Sequence, residues 1–170
     1  EDEATVLRIS GDPGIGKTAL LDVAASRATG TGMTVVRFTA VESESGIPSC
    51  ARDLLLDLLG ARSDVTASPA TLLEALSHAC RSGPLALLID DIQWLDEQSM
   101  QALAFACRRL LADPVAVLLA CRTVAASNTP FDTFAHLHLG PLTLVQSIQV
   151  LQRCAPEMPN DVADQVAREL

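Results

Sequence analysis

Eight consecutive residues, Gly11-Asp12-Pro13-Gly14-Ile15-Gly16-Lys17-Thr18, satisfy the spacing G-x-x-x-x-G-K-[ST]. Glycine at these positions opens backbone angles closed to other residues, so successive N–H groups can turn inward onto phosphate oxygens. A helix beginning at Lys17 adds the positive end of its dipole at the same point, which places the predicted phosphate contacts from Gly11 through Ala19. Lys17 is placed to neutralise the β and γ phosphates and the Thr18 hydroxyl to ligate Mg²⁺. A glycine-rich turn without a ligand is the bland alternative. The position of the loop between an apolar strand and a helix weighs against it. A loop that binds nucleotide but supports no hydrolysis is the more serious rival.

Hydrolysis requires a second anchor for the metal and a group that orients water. Asp90-Asp91, closing the apolar run Leu85–Ile89, offers both. Asp90 is assigned as the metal anchor and Asp91 as the carboxylate that positions or deprotonates water. A strand ending at Cys121-Arg122 places a cation after the acidic strand, and a guanidinium there can sense the third phosphate. The predicted catalytic set is therefore Asp91, Lys17 and Arg122, with Thr18 and Asp90 at the metal.

Other chemically capable residues are assigned to packing or solvation. His136 and His138 share one face of a strand, but His78 is the only other histidine and no third ligand accompanies them. Trp94 is read as a packing residue of its loop, Glu42 and Glu44 as solvated, and Arg108-Arg109 as the wet face of a helix. The five cysteines form no C-x-x-C pair and are read as reduced core thiols.

The elements that must hold these groups follow from periodicity. Strands are predicted at 5–10, 33–39, 85–89, 115–121 and 136–139. Helices are predicted from Lys17 to about Thr29 and from Ser49 to Gly60, the latter with Leu54, Leu55, Leu58 and Leu59 at helical spacing. Ser43–Pro48 is read as a polar loop. Ser68 caps a helix carrying Leu72, Leu73, Leu76 and Cys80. Asp96 caps another carrying Met100, Leu103, Ala104, Cys107, Leu110 and Leu111. Thr143 and Gln146 form a capping box, and Asn160 is read as the cap of a last helix. Strands alternating with helices predict an α/β fold, a parallel sheet with helices on both faces.

The length of 170 residues suits one such domain, and 49% apolar residues with few aromatics suits buried parallel strands. A formal charge of −9 offers no cationic face to nucleic acid. No apolar run spans a membrane, and the opening Glu1-Asp2-Glu3 is unlike a signal peptide, so a cytoplasmic location is expected. The lack of an initiator Met points to an excised piece.

The string Leu87-Leu88-Ile89-Asp90-Asp91-Ile92-Gln93-Trp94-Leu95-Asp96 resembles the extended Walker B motif of the STAND signalling ATPases, most closely the large ATP-binding LuxR-type transcriptional regulators. Weaker matches are Gly11–Thr18, the stretch from Glu44 through Pro48 to Leu54-Leu55, Leu118–Arg122 and Leu139–Thr143. The resemblance implies a three-layer α/β/α, AAA+-like P-loop NTPase with a five-stranded parallel sheet in the order 5-1-4-3-2. It places the nucleotide domain at 1–142 and the start of a helical lid at 143–170. It also implies that the module is a slow ATPase switch binding ATP or ADP with Mg²⁺, self-associating in the ATP state and reaching DNA only through a C-terminal domain outside these residues. Residue by residue it repeats the roles of Lys17, Thr18, Asp90, Asp91 and Arg122 and adds Pro141 as an adenine-side contact. The family's G-R-E-like segment ahead of the first strand has no counterpart here.

Three functions remain open on these residues: a regulatory ATPase module, a P-loop phosphotransferase acting on a small molecule, and a nucleotide-binding scaffold without hydrolysis. The phosphotransferase is disfavoured because no Arg-rich lid insertion is present for a second substrate.

Overall fold

β-Branched runs and helical stripes alternate along the chain, and a computed structural model describes residues 4–61, 68–110, 112–123 and 129–169. The order is β1 (Thr5–Gly11), α1 (Lys17–Gly30), β2 (Thr34–Thr39), α2 (Cys50–Leu58), α3 (Pro69–Cys80), β3 (Leu85–Asp90), α4 (Glu97–Cys107), β4 (Val115–Arg122), β5 (Ala135–Leu139), α5 (Leu144–Cys154) and α6 (Asn160–Glu169). Single 3₁₀ turns cover Glu42–Glu44, which begins one residue ahead of the polar loop predicted at Ser43–Pro48, and Ile92–Trp94. The chain divides into two compact units, Glu1–Leu139 and Gly140–Leu170.

In the first unit all five strands are parallel, in the order β2-β3-β4-β1-β5. This is the expected 5-1-4-3-2 order read from the other edge. Alternation sends Leu85, Leu87 and Ile89 of β3 to one face, where they join Leu55 and Leu56 of α2, Leu72 and Leu76 of α3 and Leu103 of α4 in the main core. Leu88 points the other way and meets Ile9, Ala120 and Leu21 of α1. Helices thus cover both faces, and β3 is buried along its whole length. The register sets Gly11 beside Arg122 and Thr39 beside Asp90, so the phosphate loop, the acids and the cation stand at one C-terminal edge.

Helix ends explain where the helices start. The Ser68 hydroxyl accepts from Ala70 N at 3.2 Å, with Pro69 in the first turn of α3, as its pattern predicts. Helix α2 departs from expectation, because Leu54 and Leu58 are exposed while Ala51, Arg52, Leu55 and Leu56 are buried. Its leucines surround the helix, so spacing alone did not choose the inner face; the capping contacts described below do. Leu111, expected on the α4 stripe, lies outside the described residues.

The second unit is a helical pair. Thr143 and Gln146 make both halves of the capping box at the start of α5. Asn160 is not the cap of α6 that its residue type suggested. It is the first helical residue, the Val162 and Ala163 amides bond to Pro159 O, and its own Oδ1 accepts from Gln152 Nε2 at 2.7 Å. The cysteine reading also needs correction. Cys80, Cys107 and Cys121 are buried and Cys50 is half-buried, but Cys154 is exposed, because α5 buries none of its residues. Burial pushes the Cys107 thiol up to about 12 and Cys80 to about 11. Such thiols stay protonated and inert.

Candidate functional site

The loop after β1 is shaped by its glycines. Gly14 and Gly16 have φ of 79° and 105°, in a region that costs an L side chain strain, and Gly16 is the N-cap of α1. Close approach explains Gly11: a Cβ there would meet Ile15 Cγ2 at 2.7 Å and Leu139 O at 3.0 Å. Lys17 is only 7% exposed and its Nζ donates to the carbonyls of Gly11 and Asp12 at 2.9 and 3.0 Å, so the side chain folds back across the loop. Helix α1 has no side-chain cap and no acid in its first turn. Its leading N–H groups have no i−4 carbonyl, and a glycine has no side-chain acceptor to offer them.

Across the loop stands the end of β3. Asp90 is buried, and its Oδ2 accepts from the Thr18 hydroxyl at 2.6 Å while its Oδ1 accepts from Asp91 N at 2.9 Å. Asp91 adopts a left-handed conformation, φ 54° and ψ 44°, which Asp tolerates better than most residues. Pro13, Gly14 and Gly16 to Ala19 face Asp90, Asp91 and Arg122 across one cleft of about 400 Å³. Gly11 and Asp12 contribute carbonyls to Lys17, and Ile15 N bonds back to Asp12 O at 3.2 Å, closing the turn. Pro141 is an exposed residue of the second unit.

The donor set suits a magnesium ion. A threonine hydroxyl and a carboxylate within hydrogen-bond distance are hard oxygen groups, and they sit where a phosphate held by the loop would complete the coordination with water. Elsewhere, among the described residues, no group of three His, Cys, Asp or Glu is arranged to hold a metal. His136 and His138 are exposed on β5, and both approach the Ser10 hydroxyl, at 2.7 Å from Nε2 and 3.1 Å from Nδ1 respectively. Slight desolvation of this exposed ring, then the nearby charges of Arg8 and His138, hold His136 below its ordinary value.

Three features of the site and its support escaped the sequence reading. Gln93 donates from Nε2 to Asp91 Oδ1 at 2.6 Å, and its Oε1 accepts from the Arg122 amide at 3.2 Å. Trp94, read as packing alone, does pack on the core, and it also lies under the Arg122 guanidinium, 5.5 Å from Cζ to the ring centroid. Asp96 does more than cap α4. Its Oδ1 accepts from Ser99 N at 3.0 Å and Ser49 N at 2.8 Å, and its Oδ2 from Ala51 N at 3.3 Å and from the Ser99 hydroxyl. The Ser99 hydroxyl in turn accepts from Arg52 N at 2.8 Å. One carboxylate therefore serves the starts of both α2 and α4. The only signal for Gln93 and for the second duty of Asp96 was their place in the string that begins at Asp90.

A parallel sheet with a glycine loop, a threonine and an acid pair at its C-terminal edge defines the P-loop nucleoside-triphosphatase class. Residues 2–119 match the AAA ATPase domain family, and the chain belongs to it. Solved structures share the fold at low identity. Cdc6p from Pyrobaculum aerophilum superposes with a TM-score of 0.67 at 16% identity, covering 96% of this chain and 48% of that one. A Thermotoga maritima RuvB gives 0.60 at 20% identity, covering 96% and 48%. A chain of the HORMA:CdnC:Trip13 complex of E. coli MS115-1 gives 0.65 at 15%, covering 98% and 59%. The chain thus spans about half to three-fifths of these neighbours. No curated protein matches it. No helix among the described residues is long and apolar enough to cross a membrane.

Proposed function

We propose that this domain binds ATP or ADP with Mg²⁺ and hydrolyses ATP slowly, as the regulatory switch of a LuxR-type transcriptional regulator. The observation that carries the nucleotide reading is the 2.6 Å contact between the Thr18 hydroxyl and Asp90, set beside an N-terminus of α1 that the protein leaves uncapped. Lys17 and the amides from Gly14 to Ala19 hold the phosphates. Thr18, with Asp90 behind it, would hold Mg²⁺, which would supply positive charge to the bound phosphates. Asp91 orients a water and takes its proton as the water oxygen bonds to the γ phosphorus. The bond to the bridging oxygen breaks, giving ADP and inorganic phosphate. Arg122 contacts the γ phosphate and so distinguishes ATP from ADP.

The regulator reading rests on the resemblance of the Asp90–Asp96 string, together with the acidic charge of a piece that would leave DNA to another domain. In this reading residues 1–142 are the nucleotide domain, 143–170 begin a lid, Pro141 sits on the adenine side, the protein is cytoplasmic, and ATP promotes self-association.

Calorimetry on the intact protein tests the first claim. Titration with ATP and ADP in Mg²⁺ should give saturable uptake that Lys17→Ala removes. Absence of uptake by the unchanged protein, for adenine and guanine nucleotides alike, would sink the reading. Sedimentation in ATP against ADP tests the switch: an unchanged mass rules out nucleotide-driven assembly.

A further inference from the structure

The turn between β3 and α4 touches both the acid and the cation of the site. Gln93 is a neutral amide with a donor and an acceptor, and both are used. Its Nε2 holds Asp91 Oδ1 at 2.6 Å and its Oε1 holds the Arg122 amide at 3.2 Å. Trp94, the next residue, presents its ring to the Arg122 guanidinium at 5.5 Å. The turn is itself fixed. Ile92 is buried, Trp94 packs on the main core, and Trp94 N and Leu95 N bond back to Asp91 O and Ile92 O at 2.9 and 3.1 Å. Left-handed Asp91 starts the turn, and its carboxylate accepts from Gln93 two residues on.

We propose that Gln93 and Trp94 are positioning residues that clamp the Asp91 carboxylate and Arg122 into one unit. The proposal rests on the nucleotide reading above. Neither residue needs to touch the nucleotide. Gln93 fixes the carboxylate that orients water against the strand that carries the sensor, and Trp94 holds the guanidinium over the cleft. A γ phosphate that draws Arg122 therefore also sets the acid, which ties hydrolysis to the presence of the third phosphate.

The two halves of the clamp separate by substitution. Gln93→Leu removes both hydrogen bonds. Gln93→Glu keeps the shape and the acceptor for Arg122 but replaces the donor to Asp91 with an opposing carboxylate. Trp94→Leu removes the ring beneath the guanidinium. Single-turnover ATP hydrolysis and nucleotide affinity are measured on the intact protein, with thermal midpoints confirming that each variant folds. Misplacing a water-orienting carboxylate by about 1 Å costs on the order of a hundredfold, so Gln93→Leu and Gln93→Glu should slow hydrolysis by at least roughly tenfold. Their ADP affinity should stay within about twofold, because the phosphate loop is untouched. Loss of an exposed cation–π contact should cut the ATP-over-ADP preference of Trp94→Leu by roughly threefold.

This split between rate and affinity is what a merely structural role would not produce. If Gln93→Leu fails to fold, the isosteric Gln93→Glu carries the test. Hydrolysis by folded Gln93→Glu at the unchanged protein's rate overturns the clamp and leaves the nucleotide reading standing. So does Mg²⁺-dependent binding by the unchanged protein without hydrolysis. Failure of the unchanged protein to bind Mg·ATP removes the nucleotide reading and the clamp together.

Discussion

Helices α1 and α4 begin at opposite ends of the same problem. Each points a first turn of N–H groups out of the helix, and each needs an acceptor there. At α4 the chain supplies one: Asp96, buried, collects amides from α4 and α2 and a hydroxyl. At α1 it supplies a glycine with no side chain and no acid nearby in the helix. The contrast extends to the acids of one string. Asp96 has its oxygens filled by protein donors, whereas Asp90 and Asp91 keep capacity toward the cleft. Carboxylates saturated by the backbone build the fold, and unsaturated ones beside an uncapped helix build the site.

Substitution at Asp91 should give the larger break in that comparison. Asp91→Asn keeps an oxygen for Gln93 but loses the base, and removing a positioned general base costs roughly a hundredfold to ten-thousandfold in rate. Single-turnover hydrolysis should fall by that much while ADP affinity and thermal midpoint hold. Equal turnover by the variant removes Asp91 from the chemistry.

Asp96→Ala should do the reverse. It strands buried donors on two helices at once, which costs about 3 kcal/mol of folding stability. Urea unfolding monitors the loss, and the residual folded protein should bind nucleotide as before. The pH dependence has a definite sign. Burial raises the Asp96 value, but the hydrogen bonds from Ser99, Ser49 and Ala51 outweigh it and leave the carboxyl below its ordinary 3.8. A depressed value in the folded state means the contribution is complete above 3.8 and lost as pH falls through the folded value. Asp96→Ala should therefore flatten the acid limb of stability in that window. An unaltered limb would assign acid unfolding to other carboxylates.

What could be read from residues alone divides along the same line. The phosphate loop, the strands and the caps at Ser68, Asp96 and Thr143 are local patterns, and each sits where its spacing put it. Strand order is not local; it came from resemblance to a family, since periodicity says nothing about which strands pair. Gln93 was illegible because Arg122, one of its two partners, lies 29 positions away and arrives only through the register of β3 on β4. The second duty of Asp96 was hidden for the same reason: Ser49 and Ala51 come from a helix 45 and more positions upstream. Helix α2 shows the cost of missing it. Leucines ring the helix, and the rotation that buries Leu55 and Leu56 is the one in which Asp96 and Ser99 receive its first amides.

The smallest expected effect concerns Arg122, whose side chain is exposed at the mouth of the cleft. An exposed guanidinium facing a phosphate is screened by water and salt, so its contribution is modest. If Arg122 is the proposed sensor, which the third phosphate alone reaches, Arg122→Gln should weaken ATP roughly threefold to tenfold and leave ADP nearly unchanged. Raising the salt concentration should shrink the difference. Arg122→Glu should enlarge it by adding repulsion. Equal losses for both nucleotides in competition binding would move Arg122 from sensor to general phosphate contact. The uncapped end of α1 would then be reading total charge rather than phosphate number.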